Sequence, residues 1–145
     1  MSLIQNKKAY FNYEILDKYE AGMELLGLEV KALKSGMGSL DGSRVSIRGG
    51  EAYVLNMNIP TYQPNNTPDS YDPTRTRRLL LKKKELEELE KVEGQKGLTI
   101  VPLSVYNKNR KLKLEIASVR GKKKYDKRET IKRRDTEREI RRNLK

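Results

Sequence analysis

The side chains able to do chemistry in this chain are carboxylates and cations, because histidine and cysteine are both absent. Their absence excludes a Ser-His-Asp relay, a cysteine nucleophile, a thiolate zinc site and imidazole acid–base work at neutral pH. Carboxylates are abundant, but their close pairs fall mostly within Glu85–Glu93, where a solvated helix face accounts for them. No spaced carboxylate set on a strand suits a metal-dependent nuclease, so neither metal nor any other cofactor is expected and the chain reads as no enzyme. Glu20 stands apart, in Tyr19-Glu20-Ala21-Gly22 between strand-like segments. It can pair a nearby lysine, or accept from base and ribose donors of an RNA loop. Gly36-Met37-Gly38, with Gly42 beyond, has the glycines of a phosphate loop. Such a loop must open a helix and carry Gly-Lys-Ser/Thr. Here strand-like Ser43–Ile47 follows instead, and a plain turn fits better.

The cations carry more information. The 32 Lys and Arg against 20 Asp and Glu give a formal net charge of +12 over 145 residues. Such an excess suits a polyanion, either nucleic acid or an anionic membrane. Residues 121–145 hold 12 cations and 5 anions, a net +7, leaving 20 against 15 in the rest. Lys122-Lys123-Lys124-Tyr125-Asp126-Lys127-Arg128 sets four Lys and one Arg around one aromatic, a strong polyanion signal. A localisation or solubility tail is the plainer alternative. Arg75, Arg77 and Arg78 precede Leu79-Leu80-Leu81. Arginine grips phosphate or stacks on bases, and leucine packs under a splayed base. A charged loop leading into a core-anchored helix explains the same residues equally well.

The elements that must position these groups follow from periodicity. Ala9, Phe11, Tyr13 and Ile15 alternate with more polar neighbours and predict a strand. Leu25–Leu33 predicts another, with Gly27 marking a bulge or a close approach. Val45–Arg48, Gly49-Gly50 and Glu51–Met57 predict a hairpin with a two-residue turn. Leu98–Tyr106, a turn over Asn107–Arg110 and Lys111–Val119 predict a second. In its last strand Leu112, Leu114 and Ile116 share one face. One helix is predicted over Lys82–Val92. Its leading lysines oppose the helix dipole, so Leu79–Leu81 serve as its anchor. Tyr62–Pro73 is a loop, with three prolines in twelve residues. Many short strands and one helix predict a mainly β body over residues 1–120, a small closed barrel of the OB type.

The segment 121–145 has few apolar residues, Tyr125, Ile131, Ile140 and Leu144, and no helical stripe among them. It is expected to be disordered when free and to fold on a partner. It lacks the amphipathic face a membrane role needs. The N-terminus has no apolar signal core, and no apolar run approaches membrane-spanning length. A soluble, cytoplasmic monomer is expected.

Short stretches in a fixed order now converge. Asn6-Lys7-Lys8-Ala9, Tyr19-Glu20-Ala21-Gly22, Gly27-Leu28-Glu29-Val30-Lys31, Asp72-Pro73-Thr74-Arg75 through Leu81, Val101-Pro102-Leu103, and Gly121 through Arg128 run nearly end to end. In these the sequence closely resembles the small protein B (SmpB), or SsrA-binding, family of bacteria. The resemblance implies an OB-like barrel that binds the tRNA-like domain of transfer-messenger RNA (tmRNA, SsrA RNA) and supports its aminoacylation. It also implies delivery of that RNA to ribosomes stalled on broken messages. Asn6, Glu20, Leu80 and Lys113 match positions linked to tmRNA binding, and the arginine reading adds Arg75 and Arg77. Lys122, Lys123, Lys124, Tyr125, Asp126, Lys127 and Arg128 match the segment that works at the decoding centre, against small-subunit rRNA in the empty message channel. Ile140 falls in the distal helical part. The distal segment here lacks the aromatic that some relatives carry. A structural ribosomal protein is the alternative reading, and it predicts residence on every ribosome.

Overall fold

The computed structural model describes residues 2–61 and 68–122. Seven antiparallel strands form one sheet: β1 (Ser2–Gln5), β2 (Tyr13–Met23), β3 (Arg44–Arg48), β4 (Glu51–Leu55), β5 (Arg77–Leu80), β6 (Leu98–Lys108) and β7 (Lys111–Gly121). Three helices accompany them: α1 (Lys7–Asn12), α2 (Gly27–Lys34) and α3 (Lys83–Glu93). The strand order is β1-β6-β7-β2-β5-β4-β3, so the long β6–β7 hairpin lies inside the sheet with β2 across it. The mainly β expectation holds. The expected closure does not: β3 comes alongside β6, yet no ladder among the described residues joins the two edges. The sheet curls without sealing.

Both predicted hairpins form. Gly49 and Gly50 take φ of 57° and 76°, the left-handed pair a two-residue primed turn requires. The second hairpin is tighter than its expected four-residue turn. β6 runs on to Lys108, and Asn109 and Arg110 alone turn the chain, at φ 52° and 67°. Leu112, Leu114 and Ile116 face the core, as the alternation predicts. The predicted helix is α3, and Leu89 is its fully buried contact. Its start is better satisfied than its lysines suggest, because the Glu85 carboxylate accepts the Lys82 N–H at 3.1 Å. Glu93 at the other end accepts the Ile47 N–H at 2.7 Å and ties α3 to β3.

Two predicted strands are helices. Ala9–Ile15 is not one strand: α1 occupies Lys7–Asn12 and β2 starts at Tyr13. The Asn6 side chain accepts the Ala9 N–H and caps the helix. The turn drops Ala9 onto Val101, Leu103, Ala117 and Val119, a small second core on the outer side of β6–β7. Leu25–Leu33 is α2 rather than a strand, and Gly27 lies in its first turn rather than at a bulge. Glu29 accepts the Leu26 N–H at 2.8 Å, and Ala32 and Leu33 pack into the main core. A fully buried carboxylate decides this segment, and local periodicity cannot register its partners. No helix among the described residues is long and apolar enough to cross a membrane.

Candidate nucleic-acid interface

Strand β2 sets the site by its two-residue alternation. Ala21 points inward opposite Leu114 and is fully buried. Glu20 and Gly22 therefore point outward. Register then carries one row across four strands: Tyr106 on β6 pairs Lys113 on β7, Lys113 pairs Gly22 on β2, and Gly22 pairs Leu80 on β5. Glu20 lies in the neighbouring row, opposite Glu115. The tetrad Tyr19-Glu20-Ala21-Gly22 thus has a spatial logic. A Cβ on Gly22 would come within 3.3 Å of the Leu80 Cβ, so glycine lets Leu80 lie across the sheet.

Leu80 is 48% exposed while its neighbour Leu79 is in the core. A leucine displayed on an open sheet face gains little from folding and is available to a ligand. Beside it opens a groove of about 320 Å³. Met23, Leu25, Val30 and Leu80 give it apolar walls, and Lys34, Arg110, Lys111 and Lys113 give it a basic rim. Among the described residues none of these four cations has an ion-pair partner. Apolar floor and unpaired cations suit a splayed base beside its phosphate.

Glu20 is more occupied than its sequence suggests. Its carboxylate accepts the Tyr106 hydroxyl at 2.6 Å and Lys108 Nζ at 3.2 Å. The Tyr106 hydrogen bond, with Lys108 and Lys113 nearby, holds the Glu20 carboxyl below its ordinary range. Partial burial and the same hydrogen bond push the Tyr106 phenol up. At pH 7 the pair is therefore a carboxylate accepting from a neutral phenol.

The remaining residues singled out in the sequence separate into three groups. Asn6 is buried, and its amide donates to the carbonyls of Pro102 at 2.8 Å and Leu40 at 3.4 Å while its oxygen caps α1. Arg77 is fully buried. It donates to Glu29 Oε2 and to the carbonyls of Met57 and Pro73. Arg75 also donates to Glu29 and keeps partial exposure. The Arg77 guanidinium thus lies inside the protein, engaged by Glu29 and backbone carbonyls. Glu20, Leu80, Lys113 and their unpredicted neighbour Tyr106 lie on the open face. Lys122 closes the described chain: its N–H donates to the Asn12 carbonyl and its Nζ to the Tyr10 carbonyl at 3.2 Å. Lys123, Lys124, Tyr125, Asp126, Lys127, Arg128 and Ile140 lie outside the described residues.

Sequence reasoning missed Tyr106, Lys108, Lys34 and Arg110. Tyr106 only ended a predicted strand, and its neighbourhood exists through the β6–β7–β2 register. Among the described residues no group of three or more Asp or Glu is placed to hold a metal ion.

Comparison with known proteins agrees along nearly the whole chain. Residues 3–145 match the model of a family described as SmpB protein. An SsrA-binding protein of Mycoplasma mycoides is 48% identical over 143 residues, covering 99% of this chain and 97% of the relative. The SsrA-binding protein of Chlorobaculum tepidum is 50% identical over 141 residues, covering 97% and 89%. A solved structure described as "tmRNA-SmpB: a journey to the center of the bacterial ribosome" superposes with a TM-score of 0.70 at 42% identity, covering 83% of this chain and 85% of that one. A match of this extent, over the face just described and the segment beyond it, makes this chain a member of the SmpB protein family.

Proposed function

We propose that the protein is a non-enzymatic RNA adaptor of trans-translation. It binds the tRNA-like domain of SsrA RNA, supports its aminoacylation and carries it to stalled ribosomes. The body, residues 1–120, holds the RNA with the open face of β2, β5, β6 and β7. Glu20, Leu80 and Lys113 lie on that face. Asn6 and Arg77 hold it from behind, and Arg75 reaches its edge. Residues 121–145 occupy the empty message channel near the decoding centre, against small-subunit rRNA. Lys122 through Arg128 lie at that centre and Ile140 farther along. The protein works as a monomer in the cytoplasm.

The carrying observation is that Glu20, Leu80 and Lys113, distant in sequence, share one open face of a chain about half identical to SsrA-binding proteins. A segment of net +7 with little apolar surface is suited to a test of vacancy, because it can order only where a channel is free.

The test keeps the chain full length. One variant shuffles residues 123–145 at constant composition and another carries Leu80→Ala. The shuffled protein should bind the tRNA-like RNA normally and fail in single-turnover peptide transfer on ribosomes with truncated message. Leu80→Ala should be weakened at binding. Wild-type transfer by the shuffled protein would reduce the segment to its charge and end the channel reading.

A further inference from the structure

Glu20 has both carboxylate oxygens engaged within the protein, by Tyr106 and Lys108. A group so satisfied is poorly placed to accept from RNA, since each new bond displaces an existing one. Tyr106 itself is different. It is the aromatic member of the row that holds Lys113 and Leu80. Its hydroxyl is tethered at 2.6 Å, which fixes the side-chain torsions and removes part of the entropy cost of using the ring. On its other side lies a concave patch of about 290 Å³, lined by Ser2, Gln5, Tyr10, Ser104, Tyr106 and Glu115. Tyr10 there is 37% exposed, and its carbonyl receives Lys122 Nζ. Two tyrosines around a hollow, on a face with unpaired cations, form a platform for an unpaired base.

We infer that Tyr106 is a base-stacking RNA contact and that Glu20 is its positioning residue, acting on RNA through the tethered phenol. This deepens the RNA-binding reading of the open face and rests on it. Lys108 completes the tether from the hairpin end of β6 and keeps the Glu20 charge compensated. The bound RNA would place one unstacked base against the Tyr106 ring while Lys113 meets the neighbouring phosphate.

The experiment uses the full-length protein and the in-vitro-transcribed tRNA-like domain of SsrA RNA. Tyr106→Leu, which removes the ring and keeps apolar bulk, should weaken binding roughly 10-fold with melting temperature unchanged. Tyr106→Phe keeps the ring and loses the tether, so its loss should be about 3-fold. Glu20→Ala should match Tyr106→Phe, and the two combined should lose no more than either alone, because the Tyr106–Glu20 hydrogen bond is missing from all three. In NMR spectra the Tyr106 ring protons, assigned by their disappearance in Tyr106→Phe, should move upfield when RNA is added. Multiplying losses in the double variant would show that Glu20 meets RNA directly and overturn the positioning role. Unchanged binding by Tyr106→Leu, with Leu80→Ala still weakened, would overturn the stacking contact alone. Unchanged binding by both would remove the open face as the RNA site.

Discussion

Two carboxylates in this protein gather cations, and they do so for opposite ends. Glu29 lies fully buried on α2, with Arg77 equally buried beside it and Arg75 closing over the top. Glu20 lies on the open face of β2, with Lys108 and Tyr106. The chemistry is alike and the surroundings differ. Inside, every polar atom must find a partner, and the Arg77 guanidinium reaches Glu29, Met57, Pro73 and Tyr71. That network pins α2 to the chain leading into β5, and so sets where Val30, Lys34 and Leu80 meet at the groove. Outside, water competes for each partner, and the same kind of pair orients a side chain rather than holding the fold. A basic chain thus uses some of its arginines as core and leaves other cations on its open face.

The strongest way to break this contrast is to remove Arg77. Arg77→Ala leaves a buried carboxylate with less than its needed compensation and should cost about 3–5 kcal/mol in urea unfolding. Lys108→Ala should leave the unfolding midpoint unchanged. Equal midpoints for the two variants would erase the distinction between the clusters.

Acid sharpens the same contrast. Burial raises the Glu29 carboxyl, but hydrogen bonds from Arg75, the Leu26 N–H and Arg77 outweigh it, and the net shift is downward. A carboxyl with a lowered folded pKa contributes stability above its unfolded value, and that contribution is lost as pH falls through the folded pKa. Starting from an ordinary value of 4.5, stability should fall as pH drops below that point. Glu29→Gln should be less stable than wild type at neutral pH, and the gap should narrow in acid.

On the open face, Leu80→Ala should weaken RNA binding by about 1–3 kcal/mol, since a base loses its apolar support. Its melting temperature should barely move, because Leu80 is 48% exposed. A drop of several kcal/mol in stability would instead make Leu80 part of the core. The smallest effect belongs to Lys113. Lys113→Ala should lower the slope of log affinity against log salt by about one, the signature of one phosphate contact. An unchanged slope would leave Lys113 without a phosphate.

Much of this was legible in the linear chain where local rules act alone. Gly49-Gly50 specified a turn, the alternation of Leu112, Leu114 and Ile116 specified a buried strand face, and the stretch Lys82–Val92 specified α3. The missing histidine and cysteine bounded the chemistry, and the charge placed a polyanion among its partners. Ala9–Ile15 and Leu25–Leu33 misled because their apolar residues suit either period. Helix won at the first through the Asn6 cap and the seat for Ala9, and at the second through Glu29 meeting Arg75 and Arg77 from 46 and 48 residues away. The arginine cluster divided for the same reason. Strand alternation alone sends Arg77 inward and Arg78 outward, but only a waiting buried carboxylate makes the inward position tolerable. The row from Tyr106 through Lys113 and Gly22 to Leu80 likewise exists only in register, because hydrogen-bonded strands bring together residues that the chain keeps up to 84 positions apart (Gly22 to Tyr106).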